Sequence, residues 1–284
     1  MDKEYNIKAT DVVIDRNQCL GAGGFGAVYK GTWSGTDVAI KVLLCQSLNK
    51  EAQAEFMHEL NLMTALRSPK LMQVFGGISE AGKQAIVMEL SPKGSLYDLL
   101  QEEPTLGWDI KYRIGMDIAY GLKYLHDKKI IHRDLKSMNV LMDRDLNAKI
   151  CDFGLAKVKT QSSAVSTMAS SVGTILWMAP ELFARRVTHT SAADAYALGM
   201  VLHELLTHKV PFADDLVGRR APDVIPGWVK DGERPDLPDI GTAEFKDLIK
   251  QCWQQDAATR PQAALVAQTL ERMKGEDKVD LSNK

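Results

Sequence analysis

Two polar clusters separated by a hairpin-sized interval constrain this chain more than any other feature. His132-Arg133-Asp134-Leu135-Lys136-Ser137-Met138-Asn139 is followed by Cys151-Asp152-Phe153-Gly154. Between them, Val140-Leu141-Met142 and Ala148-Lys149-Ile150-Cys151 read as short strands, with turn residues from Asp143 to Asn147. A hairpin returns to the end it started from, so Asp134, Asn139 and Asp152 are expected to converge on one cleft. Oxygen ligands gathered beside a lysine suit a hard cation carrying a polyphosphate.

Bulk properties narrow the setting. A length of 284 residues allows one large domain or two modest lobes with a real core. An apolar fraction of 45% and a charged fraction of 25% are ordinary for a soluble globular protein. Lys and Arg number 35 against 37 acids, a net charge of −2, so no global field points to nucleic acid or an anionic membrane. The polar start Met1-Asp2-Lys3-Glu4-Tyr5-Asn6 does not read as a signal peptide, and no apolar run reaches the ~20 residues of a membrane span. Cys19, Cys45, Cys151 and Cys252 lie far apart without CxxC spacing, which indicates neither zinc nor a disulfide framework. A reduced, cytoplasmic setting is expected.

Along the chain, the first third reads as strands. Val12-Val13-Ile14, Ala27 to Lys30 and Val38 to Leu43 are strand-like; a helix is expected from about Lys50 to Arg67, ended by Ser68-Pro69. Leu71 to Ile78 and Gln84 to Glu89 read as two further antiparallel strands. After Ser91-Pro92-Lys93-Gly94 the pattern turns helical, over Leu96–Gln101, Tyr112–His126, Ala192–Leu206, Thr242–Trp253 and Ala263–Met273. The expected layout is a β-rich lobe over 1–90, a helical lobe over 91–274 and a frayed charged tail over 275–284. Interlobe crevices are favoured ligand sites.

Gly21-x-Gly23-x-x-Gly26 alone also fits dinucleotide folds, where it must run from a strand into a helix. Here the residues after Gly26 alternate like a strand, so a glycine flap between two strands, closing over phosphates, is the better reading. Glu59 falls inside the apolar stripe of Phe56, Leu60 and Met63, where a carboxylate is costly unless paired. Lys41, ending Val38-Ala39-Ile40-Lys41, is its nearest plausible partner; Glu55 competes but is expected to face solvent. Glu181 of Trp177-Met178-Ala179-Pro180-Glu181 is a candidate partner for Arg260.

With these motifs in order, the chain resembles a eukaryotic-type protein kinase domain over about residues 8–274. The glycine-rich loop, the strand lysine, the two clusters above and the Ala179-Pro180-Glu181 run together carry the resemblance. It implies an α+β, two-lobed fold, with a small antiparallel β-rich lobe holding one main helix and a larger mainly helical lobe. By the same resemblance, the backbone of Gly21, Ala22, Gly23, Gly24, Phe25 and Gly26 covers ATP, and Val28, Ala39 and Leu141 sandwich adenine. Met88 matches the gatekeeper, the backbone of Glu89 and Ser91 meets the adenine edge, and Ser95 or Asp98 sits near the ribose. Lys41, positioned by Glu59, holds the α/β-phosphates, while Asn139 and Asp152 bind Mg²⁺. Asp134 accepts the substrate hydroxyl's proton and Lys136 steadies the γ-phosphate. Asp194 matches the acid that anchors the catalytic loop.

Lys136 and Thr174 resemble serine/threonine kinases, while Trp177 to Glu181 and Cys252-Trp253 resemble the tyrosine-kinase-like group of Raf, mixed-lineage and receptor-interacting kinases. Serine/threonine transfer to proteins, in a signalling role, is the expectation; dual specificity stays open. The Ser/Thr-rich segment Lys157 to Val172, with Arg133 nearby in sequence order to the site, suggests regulation by (auto)phosphorylation within 160–171, through self-association in trans. Three features depart from the pattern. Ser68-Pro69-Lys70 replaces His-Pro-Asn, Ala192-Ala193-Asp194-Ala195 is unusually alanine-rich, and Pro222 and Pro226 interrupt what would begin the next helix. Arg185-Arg186 and Arg219-Arg220 are read as ordinary solvated surface, and Cys151 as a buried, inert thiol. The competing classes are a pseudokinase scaffold, against which Lys41, Asp134, Asn139 and Asp152 all stand, and a small-molecule kinase, against which the Gly173 to Glu181 stretch stands.

Overall fold

The computed structural model describes residues 5–23, 26–43, 50–80, 82–153, 174–184 and 187–282. Gly24, Phe25, Cys45, the side chain of Glu55, the segment Lys157 to Val172, and Arg185-Arg186 lie outside the described residues. The chain divides into two compact units, Met1–Pro92 with Phe153–Ser171, and Lys93–Asp152 with Val172–Lys284.

The first unit is an antiparallel sheet of β1 (Val12–Gly23), β2 (Gly26–Trp33), β3 (Thr36–Leu43), β4 (Val74–Ile78) and β5 (Ala85–Glu89). The spatial order is β1-β2-β3-β5-β4. Period-2 alternation splits its residues between two covered faces. Val38, Ile40, Ala85 and Val87 point to one side and form a core with Ile7 and Ile78. The opposite side is covered by α1 (Lys50–Ala65), whose Phe56, Leu60 and Met63 are buried as their spacing predicts. A Cβ at Gly77 would come within 2.6 Å of Leu60 Cδ2, so glycine there admits the helix onto β4. The helix stops at Ala65 rather than Arg67, and β4 starts at Val74 rather than Leu71. Where the usual histidine is missing, Ser68 closes the turn itself: its hydroxyl accepts Lys70 N–H at 3.2 Å and its carbonyl accepts Leu71 N–H at 3.2 Å.

The second unit contains α2 (Leu96–Glu102), α3 (Trp108–Asp127), the β6–β7 hairpin (Val140–Met142, Ala148–Ile150), α4 (Ser191–Thr207), α5 (Ala221–Lys230), α6 (Ala243–Cys252) and α7 (Ala263–Ser282). The core helix is α4, buried without interruption from Ala193 to Leu206, which is how a helix that is apolar all round must sit. α3 packs against both α4 and α7. It begins at Trp108, before the expected Tyr112, and Trp108 packs tilted against Tyr112 and edge-on to Phe245, with ring centroids 5.4 and 5.2 Å apart. No helix among the described residues is long and apolar enough to cross a membrane.

Two expectations need correction. Pro222 and Pro226 do not prevent a helix: α5 runs from Ala221 to Lys230. Pro222 occupies the first turn, where its missing N–H has no intrahelical acceptor anyway, and Pro226, inside the helix, forfeits one bond without ending it. Nor does the chain leave its helix at Gly275. α7 continues to Ser282, helped by the i,i+4 pair Arg272–Glu276 at 3.0 Å.

Candidate active site

The loop His132–Asn139 is bonded to the far end of the β6–β7 hairpin. Val140 pairs with Ile150, Cys151 N–H donates to Asn139 O at 2.9 Å, and His132 Nε2 meets Cys151 O at 2.9 Å. His132 Nδ1 accepts Asp134 N–H at 3.2 Å, so the ring is the tautomer protonated on Nε2, with both nitrogens used. Asp152 follows at once, with φ of 60°. The hairpin thus sets Asn139 and Asp152 at the same end, as the sequence predicts.

Asp134, Lys136 and Thr174 form a closed triangle. Thr174 Oγ1–H donates to Asp134 Oδ1 at 2.9 Å and accepts from Lys136 Nζ at 2.7 Å; Lys136 Nζ lies 3.5 Å from Asp134 Oδ1. Asn139 Nδ2 donates to the Asp134 carbonyl at 2.7 Å and reaches Asp134 Oδ2 at 3.3 Å. Asp134 and Lys136 keep side-chain exposures of 18% and 17%, so a ligand can reach them. A hydroxyl held between a carboxylate and an ammonium is the arrangement that a general base and a charge-stabilising lysine require.

This loop carries left-handed backbone at Arg133, with φ of 70°, a conformation that needs outside support. Asp194 at the start of α4 supplies it. Its Oδ2 accepts His132 N–H at 2.8 Å and its Oδ1 accepts Arg133 N–H at 3.0 Å, while His126 Nε2 lies 2.8 Å from Oδ2. Asp194 therefore anchors the loop as expected. Glu181 and Arg260 also meet, through two bonds of 2.8 Å each; the Arg260 side chain is fully buried.

In the first unit, register places the predicted residues on one face. Val28 pairs with Lys41 and Ala39 with Met88; Ala39 and Lys41, two apart, share a side of the sheet. Lys41 also pairs with Ile86, and Ile86 with Gly77, which makes this the face that α1 covers. Lys41 and Glu59 are 5% and 6% exposed, burial that a lone charge does not tolerate. The glycine motif runs strand to strand: Gly21, Ala22 and Gly23 pair with Val28, Ala27 and Gly26. That removes the dinucleotide reading. A Cβ at Gly26 would fall 2.1 Å from Val42 O, whereas Gly21 and Gly23 have no atom within 4 Å.

The remaining predicted residues are mixed. Leu141, between buried Val140 and Met142, is only half-buried and so turned away from the core. Glu89 N–H is held by Gln73 O at 2.9 Å, so its amide is not available to a ligand. Ser95 and Asp98 close a capping box at the start of α2, with Ser95 Oγ to Asp98 Oδ2 at 2.6 Å and Asp98 N to Ser95 Oγ at 3.2 Å. Cys151 is buried.

Sequence reasoning passed over Glu204. It lies on α4, 1% exposed, and burial pushes its carboxyl up to about 8. Its signal was available: the one acid in the largely apolar run Ala195 to Leu206, which otherwise holds only His203 as a titratable group besides Tyr196. The capping box was also legible as Ser-x-x-Asp.

The fold is that of the protein kinase family, and the comparison with known families agrees. Residues 14–270 match the family model described as protein tyrosine and serine/threonine kinase, and the chain belongs to that family. Membership implies use of ATP with a divalent cation. Similar proteins include a putative serine/threonine-protein kinase/receptor, R831, of Acanthamoeba polyphaga mimivirus, 37% identical over 87% of this chain and 16% of its own length. Two others are from Arabidopsis thaliana. The probable serine/threonine-protein kinase SIS8 is 38% identical over 89% of this chain and 24% of its own length. The serine/threonine-protein kinase STY46 is 34% identical over 89% and 43%. The chain spans less than half the length of each of these relatives.

Proposed function

We propose that this chain transfers the γ-phosphate of ATP to serine and threonine hydroxyls of protein substrates. The observation that carries the reading is the Thr174 hydroxyl held between Asp134 Oδ1 and Lys136 Nζ at 2.9 and 2.7 Å. It occupies the relation to base and cation that an acceptor hydroxyl needs. Asp134 takes the acceptor's proton, and Lys136 offsets charge on the transferred group. The names of the serine/threonine relatives support the same acceptor.

Asn139 and Asp152 suit Mg²⁺. They offer an amide oxygen and a carboxylate, the hard donors this ion takes. Because Asn139 Nδ2 faces the Asp134 carbonyl at 2.7 Å, Oδ1 is the amide atom that remains to ligate. Bound Mg·ATP supplies the transferable phosphoryl group with its charge partly neutralised. Lys41, positioned by Glu59, holds phosphate oxygens. The backbone of Gly21 to Gly26 covers them; open space around Gly21 and Gly23 means that close approach of a ligand, not packing, accounts for the missing side chains. Val28, Ala39 and Leu141 contact the base, Met88 limits the depth of its pocket, and the Glu89 carbonyl and Ser91 backbone meet its edge. The capping box already explains Ser95 and Asp98, so ribose contact is secondary there.

Regulation by phosphorylation within residues 160–171 in trans between two copies, and a cytoplasmic setting, belong to the same reading. Arg133, half-buried in the loop that carries Asp134, is the cation for such a phosphate to engage. Phosphoamino-acid analysis of a generic protein substrate and of the chain itself tests the acceptor. Phosphoserine and phosphothreonine are expected; phosphotyrosine alone contradicts the proposal.

A further inference from the structure

We propose that Glu204 is a positioning residue that ties the loop bearing Asp134, Lys136 and Asn139 to the segment bearing Thr174. The proposal rests on the phosphoryl-transfer reading of that site and adds a residue to it. Glu204 Oε1 accepts the Ser137 hydroxyl at 2.6 Å, and Oε2 accepts Trp177 Nε1–H at 2.7 Å. Ser137 directly follows Lys136. Trp177 lies one turn beyond Thr174, and its own N–H donates to Thr174 O at 3.0 Å. One carboxyl group therefore holds the two stretches whose side chains close the Asp134–Lys136–Thr174 triangle.

Core packing does not explain an acid at this position. Glu204 sits among buried leucines of α4, with Ser137 fully buried and Trp177 2% exposed. An apolar side chain of similar volume would fill the space without the desolvation cost of a carboxyl group. What only a two-oxygen group provides is a fixed distance between two donors from separate segments. The tie survives a proton, because a neutral acid donates to Ser137 Oγ from one oxygen and still accepts from Trp177 at the other. Glutamine can do the same; leucine cannot.

Four variants test the tie: Glu204→Gln, Glu204→Leu, Ser137→Ala and Trp177→Phe, each assayed for kcat, for KM of ATP and for melting temperature. Misplacement of catalytic groups by about 1 Å costs up to about 10²-fold, so Glu204→Leu is expected to lower kcat by at least about tenfold. Its KM for ATP should hold, while its melting temperature falls because the buried Ser137 hydroxyl and Trp177 N–H lose their partner, so kcat is compared per folded molecule. Glu204→Gln should rescue kcat to within about threefold, on the same geometric argument. Ser137→Ala and Trp177→Phe should each lower kcat, yet add nothing in the Glu204→Leu background. Unchanged kcat per folded molecule in Glu204→Leu, or losses that multiply in that background, would overturn the proposal.

Hydrogen exchange separates this outcome from failure of the kinase reading. In Glu204→Leu, amides of both 132–139 and 174–178 should exchange faster than in the parent protein. If the parent transfers no phosphate, the kinase reading fails and exchange alone decides the tie. Change confined to α4 then refutes it.

Discussion

The two compact units position their candidate residues by different means. In the first, Val28, Ala39, Lys41 and Met88 stand on one sheet face, and the ladder alone fixes where each points. In the second, Asp134, Lys136 and Asn139 stand on a loop that includes left-handed backbone at Arg133. That loop is held by buried acids of α4: Asp194 accepts two of its backbone amides, and Glu204 accepts its Ser137 hydroxyl. A sheet distributes its constraint over many backbone bonds, so one side chain matters little to its shape. A loop concentrates it in a few buried acidic side chains, and removing one is expensive.

The largest expected effect falls on the loop itself. Asp134→Asn removes the hydroxyl's acceptor charge and should lower kcat by about 10²–10⁴-fold with stability preserved; steady-state transfer assays check this. Next, Asp194→Asn leaves one of the two loop amides without its charged acceptor. A loss of about 2–4 kcal/mol in urea unfolding is expected, with a fall in kcat of about tenfold or more. A kcat indistinguishable from the parent would break the contrast between loop and sheet.

The glycines sharpen the comparison from the other side. Gly26→Ala drives a Cβ into Val42 O and should destabilise by about 1–3 kcal/mol. Gly21→Ala meets open space, so stability should hold within about 0.5 kcal/mol while KM for ATP rises. Equal stability losses would show that both glycines serve packing.

A pH dependence closes the series. Burial raises the Glu204 carboxyl from its ordinary 4.5 to about 8, so between those values the folded protein binds the proton more tightly than the unfolded chain. Stability contributed by this group is present at acid pH and declines as pH rises from about 5 to about 8. Thermal melts across that window should show a decline that Glu204→Gln flattens. An unaltered slope would place the ionisation elsewhere.

The same contrast explains what could be read from sequence. Alternation fixes a strand's face without knowledge of its neighbours, so the Lys41 face, the strand-to-strand glycine motif and the α1 stripe were all legible. Glu59 was legible because a carboxylate inside an apolar stripe must be buried or paired. The hairpin between Asn139 and Asp152 and the Glu181–Arg260 pair were legible too, one from turn chemistry and one from charge. Glu204 was not, since an acid in a helix that is apolar all round announces burial but not its partners, which come from 67 and 27 residues away. The helix at Ala221–Lys230 is hidden because an interior proline, Pro226, ordinarily ends a helix, and here it does not. Ser95 and Asp98 carry the local Ser-x-x-Asp pattern of a capping box, so their mutual bond at the start of α2 is legible without any ligand.

The central claim is that this chain moves phosphate from Mg·ATP to hydroxyl groups through Asp134 and the ligands at the hairpin end. Incubating the purified chain with Mg·ATP and a generic protein substrate, beside Asp152→Asn, tests it most directly. Intact mass and phosphate transfer should both rise for the parent and stay at background for the variant. Equal signal from both would contradict the account.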